Sequence, residues 1–305
     1  MALSLSDWIH PPRPGAPSRR MRVATKAAAR IAGSGPFIHL LHDPASEDRP
    51  RWGYGRPAHP RLAELLGRHA DTYVSAIAMI NSYERDLLAI AATQTSDLEP
   101  FWRNGFMFGL DAPSLYAFVR SRAPTRYVEI GSGNSTLFAN RARRDGGLAT
   151  QIVSIDPSPR RDIDAVCNGV IRQPLEDVDL GVFADLAHGD IVFLDGTHRV
   201  FMNSDVTAFF LDVLPSLATG VLVGVHDIHL PDDYRPEHAL RYYSEQYLLA
   251  AYLLAECAWL RPVLPCWYVS HHDELGESAR QLFGSERIPI GPHGVTFWME
   301  TCDRT

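Results

Sequence analysis

The sequence predicts an α/β fold: a doubly wound, mostly parallel sheet preceded by a helical N-terminal extension. Three observations predict it. Tyr127-Val-Glu-Ile130 has strand character, breaks on Gly131-Ser-Gly133, and re-enters as the helix-like run Leu137–Arg144. A second strand, Gln151–Asp156, follows about one βαβ length later, and strands and helices then alternate through the rest of the chain. The last two strand candidates, Val263–Val269 and Val295–Glu300, have no crossover helix of full length between them.

The glycine turn carries the first chemical signal. A strand that breaks on glycines and restarts as a helix leaves backbone N–H groups pointing out of the turn, a natural seat for a nucleotide-like ligand. Ser135 or Thr136 can cap the helix. Asp156, at the end of the second strand, can take two ribose hydroxyls. Dinucleotide enzymes want Gly-x-Gly-x-x-Gly, and the last position here is Thr136, so an NAD-dependent dehydrogenase ranks last.

Taken in order, residues 10–20 hold four prolines, one glycine and three arginines, and favour an irregular lead. From Arg13 to Arg30 there are six basic residues and no acid, and Met21–Gly33 reads as a short basic helix with a solvated face. Residues 1–58 are expected to be irregular. Residues 59–122 form the extension, with helices at 60–69 and 72–92 and apolar residues at helical spacing (Tyr73, Ile77, Ile80). The aromatic stretch Phe101–Leu110 reads as a lid over the ligand or as core under the helices. A helix from Asp111, with that acid as its cap and Pro113 in its first turn, leads into the domain at 123–305. There the third strand is Val170–Pro174, the fourth the apolar Asp190–Asp195, and the fifth Gly220–Val225, with a helix at 203–217 before it. A long helix at 237–256 precedes Val263–Val269, and His271-His272-Asp273 is expected to end that strand and cap the next helix. Tyr242, Tyr243 and Tyr247 are assigned to packing on the long helix.

Of 305 residues, 46% are hydrophobic and 21% charged, as in an ordinary globular protein. A formal net charge of -7 argues against nucleic acid as the main partner, because phosphate neutralisation needs a basic face. The four cysteines show no Cys-x-x-Cys, which argues against a zinc knuckle or a disulfide framework. No uninterrupted apolar span or signal-peptide core is present, so the expectation is a cytoplasmic protein that does not enter membranes. Self-association is left open.

In open α/β sheets ligands sit at the carboxyl ends of the strands. Those ends gather Glu129 with the glycine turn, Asp156, Glu176, Asp195-Gly-Thr-His198 and His226-Asp227. Polar ends on consecutive strands are more than packing alone would select. Asp205, near a helix start, and His229, His271 and His272 are weaker candidates.

Val128-Glu-Ile-Gly-Ser-Gly-Asn-Ser-Thr136, with Glu129 two residues before the first glycine, resembles the first motif of the class I S-adenosylmethionine-dependent methyltransferases. Ser135 replaces the usual third glycine. Asp195-Gly-Thr-His198 and His226-Asp227 are similar to strand ends of a small-molecule group in that superfamily, shared with sugar O-methyltransferases and cephalosporin-hydroxylase-like proteins. The likeness spans residues 126–232. It implies a Rossmann-like fold with an antiparallel last strand, S-adenosylmethionine as cofactor, and a small-molecule substrate, first of all a hydroxyl. By the same resemblance, Gly131, Ser132 and Gly133, with Asn134 and Ser135, would hold the methionine part. Glu129 would meet its amino end, Asp156 the ribose, and Leu175 or Glu176 the adenine.

The cluster Asp195, His198, His226, Asp227 can do either of two jobs. Asp195, His226 and Asp227 can bind Mg²⁺ or another divalent metal that orients a hydroxyl and lowers its pKa. Alternatively His198 or His226, with Asp195, can serve as the catalytic base. Two other functions stay in view: a metal-dependent oxygenase using two histidines and one carboxylate, and a non-catalytic binding module docking through its basic N-terminal run.

Overall fold

The structure, a computed structural model, describes residues 49–239, 241–284 and 287–304. The expected basic helix at 21–33 lies outside the described residues. So does the irregular lead up to residue 48.

Seven strands form one sheet: β1 (Arg126–Ile130), β2 (Gln151–Ile155), β3 (Gly169–Ile171), β4 (Ile191–Leu194), β5 (Leu222–Val225), β6 (Leu260–Pro265) and β7 (Phe297–Thr301). Their spatial order is β3-β2-β1-β4-β5-β7-β6. The pairs among β1–β5 are parallel, and β7 runs antiparallel to both neighbours, as expected for the last strand. The order reverses between β1 and β4, which puts the crevice of a doubly wound sheet over the ends of these two strands.

Alternation along each strand sorts the core into two faces. Tyr127, Ile191, Phe193, Leu222 and Trp298 face one cluster; Val128, Ile130, Val192, Leu194, Val223 and Met299 face the other. The first face is covered by the N-terminal helices. Helix Ala70–Ser82 contributes Tyr73, Ile77 and Ile80, and helix Asp111–Arg122 contributes Leu115, Tyr116 and Phe118. Helix Pro60–Gly67 goes to the other face, where Leu62 and Leu66 share a cluster with Leu249 of helix Glu245–Leu254. Trp298 binds extension to sheet: its ring packs on Phe193 at 5.5 Å, and its indole N–H donates to Ser114 at 2.8 Å. Among the described residues no helix is long and apolar enough to cross a membrane.

Five expected elements differ. The helix at 72–92 is Ala70–Ser82 and a short Glu84–Leu88, parted at Tyr83. The helix at 203–217 is Asp205–Ala208, a π turn Phe209–Val213, and Leu214–Ser216. The π turn lies just before Pro215, which has no N–H to continue the ladder. The long helix at 237–256 is broken into Pro236–Ala239 and Glu245–Leu254, with Tyr242 at φ 58° between them, so Tyr242 and Tyr243 precede the helix. β6 stops at Pro265, and Cys266–His271 is helical rather than strand. Prolines at 262 and 265 cannot donate, which limits β6 to the sheet edge and ends it early. His271 therefore ends a helix, while His272 does cap the next one, accepting from Leu275 N–H at 3.5 Å. The third strand is shorter than Val170–Pro174, because Pro174 leads into a 3-10 turn, Leu175–Asp177.

Gly224 of β5 lies under the Trp298–Phe193 contact, where a Cβ would meet the two rings at 2.6 and 2.7 Å. Gly224→Ala is expected to cost about 1–3 kcal/mol by overpacking, read as a lower midpoint in urea denaturation; an unchanged midpoint would mean the rings are free to move.

Candidate active site

Backbone pairing sets the ends of the central strands side by side. Gly131 N–H donates to Ile155, Asp195 N–H to Ile130, Asp156 N–H to Ile171, and His226 N–H to Leu194, all between 2.8 and 3.0 Å. The residues just past four strands therefore form one row. Gly131 sits at φ 80°, and a Cβ there would lie 1.9 Å from the Asp195 carbonyl oxygen, so only glycine fits.

The turn is held from both sides. The Asp156 carboxylate accepts from Ser132 N–H and from Ser158 N–H, each at 2.8 Å, and the Ser132 and Ser154 hydroxyls meet at 2.7 Å. The helix after the turn begins at Asn134, with Gly133 as the cap residue. Thr136 accepts from Gly133 N–H at 3.0 Å and donates to Glu129. Glu129 is fully buried beneath the turn, with Oε1 unpartnered. Burial, against the Ser135 and Thr136 hydrogen bonds, pushes its carboxyl up to about 8.

A cavity of about 240 Å³ opens over this turn. Eight of the nine residues expected to hold a cofactor line it: Gly131, Ser132, Gly133, Asn134, Ser135, Asp156, Leu175 and Glu176; Glu129 lies below the lining. Phe106 and Met107 of the aromatic stretch close one side, and Arg160 lies over the Phe106 ring at 5.1 Å. Elsewhere in that stretch Trp102 and Leu110 are core, so it both packs and covers.

Asp195 and Asp205 join the same lining, and Asp205 explains the shape of the next loop. Its carboxylate accepts from the Thr197 N–H and hydroxyl, each at 2.6 Å, and a Cβ on Gly196 would run into it at 2.1 Å. The loop turns sharply and brings His198 back, at φ 63°, onto Asp195. Asp227 is likewise left-handed, at φ 58°. Two non-glycine residues in that region cost on the order of 1–3 kcal/mol each and persist only where surrounding contacts hold them.

Those contacts form a buried acid–histidine cluster. His198 Nε2 lies 3.4 Å from Asp195 and 3.3 Å from Asp227, and its Nδ1 is 2.5 Å from Glu245. His226 Nδ1 lies 3.4 Å from Asp195 and 3.8 Å from Asp227, and its Nε2 is 3.4 Å from Asp111. The His226 contacts are ionic rather than directed, since neither ring nitrogen has a well-aligned hydrogen bond. Burial would lower both imidazoles, but Glu245, Asp195 and Asp227 around His198, and Asp195, Asp227 and Asp111 around His226, raise them well above the ordinary range. Burial would raise the Asp195 carboxyl; His226 and His198 hold it well below the usual range. Glu245 goes the other way, pushed up to about 7 by burial despite His198.

Asp195, His198 and Asp227 each offer a ligand atom within 4.8 Å of the others, a donor set of two carboxylates and one imidazole that fits a divalent cation. The expected trio had His226 in place of His198. The oxygenase alternative needs two histidines with one carboxylate, and no such group converges among the described residues.

Two members of the cluster were not anticipated. Asp111 is not the side-chain cap of its helix; Leu110 is the cap residue, and Asp111 is fully buried. Its Oδ1 accepts from Val295 N–H and Thr296 N–H, each at 2.7 Å, and its Oδ2 from Phe108 N–H at 3.2 Å. Glu245 is placed by the break in the long helix, where Ser244 N–H and Glu245 N–H donate to the His198 carbonyl at 2.8 and 3.3 Å. Both acids start helices, where an acid is favoured anyway, so the sequence carries no separate signal for them. Of the weaker candidates, His229 is buried beside the cluster, and His271 stacks on His293 at 4.2 Å. Tyr243 packs on the His198 ring at 4.4 Å, while Tyr247 is half-exposed.

Residues 128–228 match the sequence model of a family described as "Methyltransferase domain". A protein of Archaeoglobus fulgidus described as uncharacterized is 36% identical over 133 residues, which cover 40% of this chain and 60% of that protein. The chain thus spans about 60% of the length of the curated relative it matches. Among solved structures, an SAH-bound methyltransferase of Podospora anserina is 16% identical at a TM-score of 0.40, covering 83% of this chain and 100% of its own. An O-methyltransferase of Bacillus cereus in complex with SAH is 15% identical at 0.36, covering 75% and 91%. Likenesses of this degree add nothing to the fold beyond what its own strand order shows.

Asp111→Ala leaves the Val295 and Thr296 N–H groups without their acceptor in a dry interior. A loss of about 2–3 kcal/mol is expected from removing this charged acceptor, measured by urea denaturation, with Asp111→Asn losing less; equal stability of both variants and the parent would show that the acid is not structural.

Proposed function

We propose that this chain, whose residues 128–228 carry a methyltransferase domain, transfers the methyl group of S-adenosylmethionine to a hydroxyl of a small molecule. The single observation that carries the reading is the juxtaposition at the strand ends. The glycine-turn cavity, with Asp156 at one side, is walled by Asp195, which belongs to the acid–histidine cluster. A cofactor in the cavity would thus lie against groups able to handle a hydroxyl proton.

The chain's residues divide the work. The Gly131–Ser135 turn supplies backbone N–H groups and small side chains to the amino-acid end of the cofactor. Glu129, its carboxyl pushed up to about 8 by burial, has its unpartnered Oε1 beneath that end and would ionise beside an ammonium group. Asp156 would take the ribose hydroxyls, and Leu175 and Glu176, in the same lining, would meet the base. When bound, S-adenosylmethionine would supply the methyl group to the acceptor oxygen, the electron pair of the broken carbon–sulfur bond staying on sulfur as a neutral thioether. Alignment supplies much of the rate. The hydroxyl proton would pass to the cluster, where Asp195 and Asp227 lie beside both imidazoles. His198 and His226 then orient and charge-balance Asp195 and Asp227. A divalent cation held by Asp195, Asp227 and a His198 imidazole that has given up its proton would bind the acceptor hydroxyl and lower its pKa.

Calorimetric titration with S-adenosylhomocysteine tests the cofactor. Micromolar binding, about −8 kcal/mol, is expected for the parent chain, and at least a tenfold loss for Asp156→Ala. No heat from the parent chain would sink the assignment. Titration with Mn²⁺, followed by its electron paramagnetic resonance signal, tests the metal. Binding by the parent chain and not by Asp195→Asn or Asp227→Asn is expected; equal binding by all three would remove these acids as ligands.

A further inference from the structure

A second cavity, of about 210 Å³, shares Asp227 with the acid–histidine cluster and is walled by Phe108, His229, Arg235, His238 and His293. It continues from the first along one stretch of chain, because Phe106 and Met107 line one cavity and Phe108 and Gly109 the other. We propose that this second cavity is the acceptor pocket and that its ligand is a ring-bearing hydroxy acid, carboxylate at Arg235 and hydroxyl at Asp227. The proposal rests on the methyltransferase reading and adds the substrate class to it.

Charge selects the anion. Arg235 is the cavity's one guanidinium; it lies over the Trp267 ring at 5.3 Å. The acid in the same lining, Asp227, is turned to His198 and His226 instead and leaves the exposed Arg235 guanidinium, which also meets the Tyr54 hydroxyl, without a carboxylate from the lining. A single cation facing one acid suits a monoanion better than a phosphate, which carries more charge than Arg235 would balance.

Imidazoles form the rest of the polar wall: His229, itself 1% exposed, and His238 line the cavity beside Arg235. The packing fixes their planes: His229 lies on Trp267 at 4.7 Å and on His238 at 5.3 Å, and His293 is stacked on His271.

Shape selects the ring. The walls are flat, with Phe108 half-exposed on one side and imidazoles on the others. The volume is below the roughly 300–1,000 Å³ of drug-sized pockets, which leaves room for one ring and its substituents.

The test is calorimetric titration of 4-hydroxybenzoate, and separately of 4-hydroxybenzamide, into the full chain, alone and saturated with S-adenosylhomocysteine. The acid is expected to bind at least tenfold more tightly than the neutral amide. Arg235→Ala is expected to abolish that preference, and Arg235→Lys to keep part of it. Equal binding of acid and amide, no binding of either to a chain that takes S-adenosylhomocysteine, or an undiminished preference in Arg235→Ala would overturn the proposal. A chain that prefers the acid but does not take S-adenosylhomocysteine would overturn the methyltransferase reading and leave the pocket standing.

Discussion

The close approach of Gly131 to the Asp195 carbonyl is the constraint on which the site depends. The first turn and the fourth strand end touch there with no room for a side chain, so their positions are set together. One side of that contact is the first cavity, built from the turn and Asp156. The other is the loop that carries Asp195 and returns His198. Neither half can shift along the sheet without the other, because both are pinned by parallel pairing of β1 with β4. The sheet thus does more than present loops; it fixes the separation between a bound cofactor and the groups that would act beside it.

Around that contact the protein concentrates charge in a dry place. Asp111, Asp195, Asp227 and Glu245 surround two imidazoles, and each acid comes from a different element: an N-terminal helix, the end of β4, the end of β5 and the helix before β6. Buried ions are costly unless paired, so the arrangement penalises any packing that separates these elements. The left-handed backbone at His198 and Asp227 is the local cost of bringing them together, and the bonds from Ser244, Glu245 and Asp205 hold it. Charge pairing and backbone strain meet at the same residues.

Much of this was legible in the sequence, and the parts that were not have physical reasons. Strands β1, β2, β4 and β5 are short apolar runs ending in glycine, acid or histidine, and both the parallel sheet and the row of polar strand ends follow from that. The residues of the glycine turn, Asp156 and Leu175–Glu176 could be named because they are near in sequence to strand ends. Asp111 and Glu245 could not, because an acid in a first helical turn is explained by the helix itself. The second cavity was hidden for another reason. Phe108, Asp227, Arg235 and His293 come from distant segments, and only the fold assembles them. Cys266–Val269 misled because its apolar residues suit a strand, while the prolines at 262 and 265 decide the geometry.

The stretch Phe106–Gly109 has one more implication. Four consecutive residues wall both cavities, Phe106 gripped by Arg160 and Gly109 pressed against the His293 backbone, where a Cβ would lie 2.3 Å away. A ligand that tightened this stretch at one end and thereby at the other would link the occupancy of the two cavities, and by reciprocity each ligand would feel the other equally. The same four residues would then act as the gear between loading and release, making the order in which two ligands come and go a property of the chain itself.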